Sequence, residues 1–366
     1  MALTADTILG ALAALTDPSG RRLAEAGRLG EVVIAGDTVM LALTIEASEA
    51  AAFEPTRQAV ERAIRAVPGV SKAFVTLTAE RSASGAGAPQ AKAPAPHAAP
   101  VPGIARIVAV ASGKGGVGKS TTAANLAIAL ARRGRSAGLL DADIYGPSVP
   151  KLMGVKGRPE LLPGRMLKPL EAHGLKIMSI GLMVDDETPL IWRGPMIDSA
   201  LTQMLREVAW GHLDVLVVDM PPGTGDAQLT MAQKVPLDGA VIVSTPQDLA
   251  LIDARKGIAM FQKVNVPVLG IVENMSFFVC PTCGFRCNIF SHGGARAEAG
   301  RHGTAFLGEI PLHMHIRASA DAGAPSVASD PDGAHAQAYF EIADRVWAAL
   351  ADPAGQSPPK RRAVPI

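Results

Sequence analysis

Apolar positions fall into two regimes along the chain. From residue 103 to about 350, short continuous apolar runs alternate with longer stretches of helical spacing. The runs 104–111, 137–140, 175–180, 213–219, 239–244, 268–272 and 305–310 are rich in branched residues and too short for core helices, so they predict buried strands. The stretches 121–133, 197–208, 249–263 and 335–350 predict helices. Strands buried along their whole length between helices imply an α/β fold, a mostly parallel sheet with helices on both faces. Ligands of such sheets gather at the carboxyl ends of the strands.

Residues 1–80 follow another pattern. Helical spacing over 4–15 precedes two branched runs, 31–35 and 38–45, with Gly36-Asp37 between them as a hairpin turn. A second amphipathic helix is predicted over 54–67, stopped by Pro68-Gly69, and an alternating strand over 70–78. The order α-β-β-α-β predicts a small α+β domain. Residues 81–102 are Ser, Gly, Ala and Pro with almost no apolar bulk, and such a stretch cannot offset its ordering entropy. It reads as a linker that lets the two domains move. A main domain over 103–350 and a Pro-rich, basic, disordered tail over 351–366 complete the plan.

Composition narrows the classes. A length of 366 residues allows two domains with a sizeable core. The formal charge of +1 gives no global basic field for nucleic acid or membrane. Three cysteines are too few and too odd for a disulfide framework and suit metal or redox use in a reducing compartment. The first twenty residues lack a basic n-region, and no stretch approaches the roughly 20 apolar residues of a membrane span. A cytoplasmic protein is the expectation.

The chemistry begins at GKGGVGKS, residues Gly113, Lys114, Gly115, Gly116, Val117, Gly118, Lys119 and Ser120, followed by Thr121. It lies between a predicted strand and a predicted helix, the context that confirms a phosphate-binding loop. Its glycines bring successive N–H groups onto phosphate oxygens, and the helix N-terminus adds partial positive charge. Lys119 is placed to reach the β- and γ-phosphates of ATP, and Ser120 to hold Mg²⁺. Asp141 and Asp143 end the next strand, where carboxylates can orient Mg²⁺ ligands and an attacking water. Asp219 ends another apolar strand and reads as a further Mg²⁺ carboxylate. Asn274 follows the run 268–273, and by itself it reads as an ordinary strand-end residue.

Cys280-Pro281-Thr282-Cys283-Gly284 supplies two thiols on a tight turn. They suit a soft metal, an iron–sulfur cluster or zinc, or form a redox pair. A metal or cluster wants four protein ligands, and one chain offers a single pair, so the ligand count points to a homodimer with the site across its two-fold axis. Cys287 is a third ligand, a delivery thiol or a bystander. His292, His313 and His315 follow; a structural role is the simpler reading for each.

The spelling KGGVGKS resembles the deviant Walker A loop of the MinD/ParA/nitrogenase-iron-protein ATPases. That resemblance implies an ATP-dependent dimer in which Lys114 reaches the partner's nucleotide; by itself Lys114 is also consistent with a solvated loop charge. DADIYGPS from Asp141 and DMPPGTGD from Asp219 resemble the two switch segments of the Mrp branch, which puts Asp143 in the water-positioning role with Asp141 in support, and Asn274 at the adenine. With ENMS, CPTCG, IFSHGG and LGEIP following in order, residues 103–345 resemble the Mrp/ApbC iron–sulfur cluster carriers. The resemblance implies a cytosolic homodimeric ATPase that binds a labile [4Fe–4S] cluster at Cys280 and Cys283 and passes it from assembly scaffolds to apo client proteins. Residues 1–80 are similar to the small domain common on such proteins, related to SufT. They lack the cysteine that relatives often carry after the hairpin, so docking is the expected role. The other readings are a MinD/ParA-like positioning ATPase and a zinc-stabilised dimeric ATPase. The Pro-rich tail cannot form a membrane-anchoring helix, and the near-neutral charge disfavours DNA.

Overall fold

A computed structural model describes residues 4–35, 38–45, 49–70, 72–79, 99–163, 166–183 and 194–351. Contacts divide the chain into two compact units, Met1–Ala91 and Lys92–Ile366. The Gly36-Asp37 turn, most of the expected linker (up to residue 98) and the tail from 352 lie outside the described residues.

The first unit has the order expected for it. Helix Ala5–Leu12 starts at Thr4, whose hydroxyl accepts from the Thr7 N–H. Strands Leu29–Ala35 and Thr38–Ile45 pair antiparallel, and Lys72–Ala79 adds in parallel to the second. The second helix runs from Ala50 to Arg65, four residues earlier than its expected start at 54. Pro55 is the sixth residue of this helix, past the first turn, so the helix goes without one i→i−4 hydrogen bond there. Ile8, Leu12, Phe53, Val60 and Ile64 close on Leu41 and Leu43 as a separate core.

In the second unit a parallel sheet runs in the order Phe306–Leu312, Val268–Val279, Gly239–Ser244, Ile107–Ala111, Val215–Asp219, Ala137–Asp141, Leu175–Ser179. Two short antiparallel pieces attach to it, Leu170–Ala172 against Leu175–Ser179 and Arg286–Cys287 against the far end of Val268–Val279. The strand carrying the glycine loop is central and fully buried. Helices Lys119–Arg132 and Ala334–Ala351 cover one face. Gly194–Arg206, Asp226–Lys234, Asp248–Lys263 and Gly294–His302 cover the other.

One strand runs far past its expected end. The run expected to end at 272 continues to Val279. Met275 takes a left-handed conformation, φ 56°, and the pairing register with Phe306–Leu312 shifts between Asn274 and Phe278. A bulge therefore carries the strand past its apolar stretch, and Asn274 lies within a strand rather than after one.

Glu273, also on this strand, is fully buried. Its carboxylate accepts from Ser276 Oγ at 2.6 Å, Gly293 N at 2.9 Å and Ala295 N at 2.8 Å. It thus caps helix Gly294–His302 and ties that helix to the strand. Glu273→Ala is expected to orphan these donors and lower stability by about 3 kcal/mol, read from urea unfolding, with Glu273→Gln recovering part of the loss.

Candidate functional site

The glycine loop closes at Gly118, φ 81°, which precedes the first turn of helix Lys119–Arg132. The loop admits no side chain at its two crowded points. A Cβ on Gly113 would lie 2.2 Å from the backbone of Asp253, and one on Gly118 would lie 2.1 Å from Asn274 Nδ2. Backbone N–H groups are therefore presented at the carboxyl end of the central strand, with the helix N-terminus behind them.

Three of the expected acids converge there. Adjacent strands put Asp219 beside Asp141 in register. Lys119 Nζ lies 2.6 Å from Asp219 Oδ1, 3.7 Å from Asp143 Oδ2 and 3.2 Å from Ser120 Oγ. All three acids and Lys119 are buried. Burial raises the pKa of Asp219 against the pull of Lys119. Burial likewise raises Asp143, again opposed by Lys119. Burial, then the Asp219 charge, push Asp141 up to about 7.

Asp141 is spent on local structure. Its oxygens accept from Asp143 N at 3.1 Å, Val149 N at 3.1 Å and Ser179 Oγ at 3.0 Å. It pins the loop carrying Asp143, and both of its oxygens are engaged by protein donors. Ser179 was not a sequence candidate. The Asp219 pair leaves Oδ2 buried without a hydrogen-bond partner among the described residues. An orphaned carboxylate oxygen beside a serine hydroxyl fits a hard divalent cation.

Lys114 is half-buried, and no ion pair engages its ammonium among the described residues. Asn274 Nδ2 donates to Val117 O at 2.7 Å. Its amide therefore touches the loop itself, leaving Oδ1 and the second Nδ2 hydrogen for other partners.

The thiols sit at the end of the same strand. Cys280 N–H donates to Phe285 O at 3.0 Å and Gly284 N–H to Cys280 O at 2.9 Å, closing a tight turn with Cys283 exposed at it. Hydrogen bonds from the Cys283 and Thr282 backbone and the Cys283 thiol hold the Cys280 thiol below its usual pKa. That favours the thiolate that binds metal. Cys287 lies on the return strand, opposite Phe278. Among the described residues no three His, Cys, Asp or Glu side chains are grouped to hold a metal ion. His292 lies 3.1 Å from Glu309, and His313 and His315 stack on His335, with His315 Nδ1 buried and without a hydrogen-bond partner among the described residues.

A glycine loop, a buried lysine and acids at adjacent strand ends define a P-loop nucleoside-triphosphatase fold. The family model for the NUBPL iron-transfer P-loop NTPases matches residues 103–347, and that for an iron–sulfur cluster assembly protein matches residues 5–77. The chain belongs to the NUBPL iron-transfer P-loop NTPase family. An iron-sulfur cluster carrier protein of Synechocystis is 43% identical over 94% of this chain and 97% of its own length. One from Pseudomonas fragi is 55% identical over 68% of this chain and 89% of its own length. Among solved structures, a nucleotide-binding protein from Archaeoglobus fulgidus in complex with ADP is 40% identical, covering 65% of this chain and 91% of its own, with a TM-score of 0.56.

The raised pKa of Asp141 has a consequence for stability. Its folded value exceeds the ordinary carboxylate value of about 4, so the native state holds the proton more tightly than the unfolded chain. Stability should fall as pH rises through that interval and level off above about 7. The nucleotide-free protein is expected to melt lower at pH 8 than at pH 6, and Asp141→Asn should lose this part of the slope. Calorimetry across pH checks it.

Proposed function

We propose that this protein is a cytoplasmic ATPase that carries a labile [4Fe–4S] cluster between two copies of itself and delivers it to apo client proteins. The observation that carries the reading is the joining of two sites by one strand. Val268–Val279 touches the glycine loop through Asn274 and leads directly into the Cys280–Cys283 turn. Each chain offers two thiolates, so a four-iron cargo is completed by Cys280 and Cys283 of a second copy.

In the nucleotide site Lys119 leaves its carboxylates for the β- and γ-phosphates, and the loop N–H groups cradle them. Asp143 orients the attacking water, held in place by Asp141. Ser120 and Asp219 would hold Mg²⁺, which supplies charge neutralisation at the phosphates. Lys114 reaches the nucleotide of the second copy. Asn274, its amide oriented by Val117, faces the adenine. Thr121 follows Ser120 in the first turn of the helix and borders the phosphates. The N-terminal unit, which has no cysteine, docks scaffolds or clients.

The test is anaerobic reconstitution with iron and sulfide. Wild type is expected to bind about two irons per chain as a dimer, and the Cys280→Ala, Cys283→Ala double variant none. The loaded dimer should activate an apo iron–sulfur enzyme, and Lys119→Ala should abolish ATP turnover while Lys114→Ala lowers it more than nucleotide affinity. Retained zinc without cluster, or no activation of any acceptor, would sink the carrier reading.

A further inference from the structure

The turn that bears the thiols has little to hold it. Its return strand is two residues long, Arg286–Cys287, and its ladder pairing among the described residues is with Phe278 and Val279. Phe285 and Ile289, on either side of that strand, are exposed. Among the described residues Arg286 makes the only ion pair of this hairpin.

That arginine reaches back across the sheet. Its guanidinium carbon lies 3.7 Å from the centre of the Phe277 ring, three residues before Cys280. Its Nη2 lies 3.2 Å from His292 Nε2 and 3.6 Å from Glu309 Oε2. Glu309 stands on the neighbouring strand, in register with Glu273. It is anchored from the other side by Arg296, 3.4 Å from Oε1, whose own guanidinium lies over Phe306 at 4.1 Å. His292 Nε2 is 3.1 Å from Glu309 Oε2; carrying a proton it donates to that carboxylate, and its approach to the Arg286 guanidinium is then not a hydrogen bond, so the carboxylate is the partner the two share. The outgoing strand, the return strand and the adjacent core strand thus meet at one guanidinium.

We propose that Arg286 is a positioning residue for the cysteine pair, latching the return strand to Phe277 and Glu309 and so fixing the turn in which Cys280 and Cys283 hold their cargo. The proposal rests on the cargo reading above for the identity of what is held. The latch is only half-buried, and exposed ion pairs and cation–π contacts are weak. It therefore contributes little to global folding. It biases a local opening, because the segment it closes has few other bonds. A planar fork laid on a ring also explains arginine rather than lysine here, since an ammonium cannot stack and reach the carboxylate together.

The experiment compares full-length wild type with Arg286→Ala, Arg286→Lys and Glu309→Gln. Two readouts use the unloaded protein: amide exchange across 278–287 and the alkylation rate of Cys283 by iodoacetamide. A third is the rate at which a ferrous chelator strips iron from the loaded dimer. Arg286→Ala is expected to speed all three about fivefold, the factor matched by ~1 kcal/mol. Arg286→Lys and Glu309→Gln should fall between, with ATP turnover and melting temperature near wild type. Unchanged exchange and alkylation would overturn the proposal. So would faster exchange spread over the whole second unit, which marks a merely structural residue, or a loosened hairpin that loses iron at the wild-type rate. Should wild type take up no iron while exchange and alkylation still respond at the hairpin, the cargo reading fails and the latch stands.

Discussion

Three buried carboxylates share one corner with the buried ammonium of Lys119, and much of the second unit is arranged around that shortage of positive charge. Lys119 can compensate one acid well, and it takes Asp219. Asp143 receives it at longer range, and Asp141 depends on backbone and hydroxyl donors instead. Three ionised carboxylates in so dry a corner would repel one another strongly, so the unliganded site favours retaining protons. Such an arrangement is costly as a scaffold. It is intelligible as a site whose missing charge arrives with a ligand.

The sheet topology makes that concentration unavoidable. Asp219 and Asp141 come from neighbouring parallel strands in matching register, beside the strand that feeds the glycine loop. Parallel strands place their carboxyl ends on one edge, so residues distant in sequence meet there. On the same edge Val268–Val279 overshoots its neighbours. A simple strand would have ended near the loop. The bulge at Met275 lets this one continue, keeping Asn274 on Val117 O while projecting Cys280 beyond the sheet.

The sequence made the nucleotide corner legible because its chemistry is local. Gly113 to Ser120 form one contiguous motif, and Asp141 and Asp219 terminate recognisable apolar runs. The cysteine arm was harder. The apolar run stops at Val272 because Glu273 and Asn274 interrupt it, yet both are buried and hydrogen-bonded to residues 20 and 157 positions away. The branched and aromatic run Phe277-Phe278-Val279 was the available sign that the strand resumes. Helix Asp226–Lys234 was missed because its polar sequence reads as a continuation of the glycine-rich loop before it. Glu273 and Glu309 stand inside the segments ENMS and LGEIP, but those spellings assign them no role, and nothing in the spacing marks Arg286 or Ser179. Each of the four acts through a contact made only by folding.

The two halves of the site also differ in the firmness of their bonds, and the difference follows from what each must do. Around Lys119 the pairs are buried, so breaking one without replacing it leaves an uncompensated charge and is strongly unfavourable. That corner should change state only when a ligand supplies substitutes. Around Arg286 the pairs face water, where solvent can take over either partner at little cost. A hairpin held this way opens without a ligand's help and closes again readily. On the carrier function proposed above, firm bonding suits a site that discriminates between bound and unbound nucleotide, and weak bonding suits thiols that surrender what they hold. The strand Val268–Val279 joins the two regimes, buried at Glu273 and only partly so beyond Phe277.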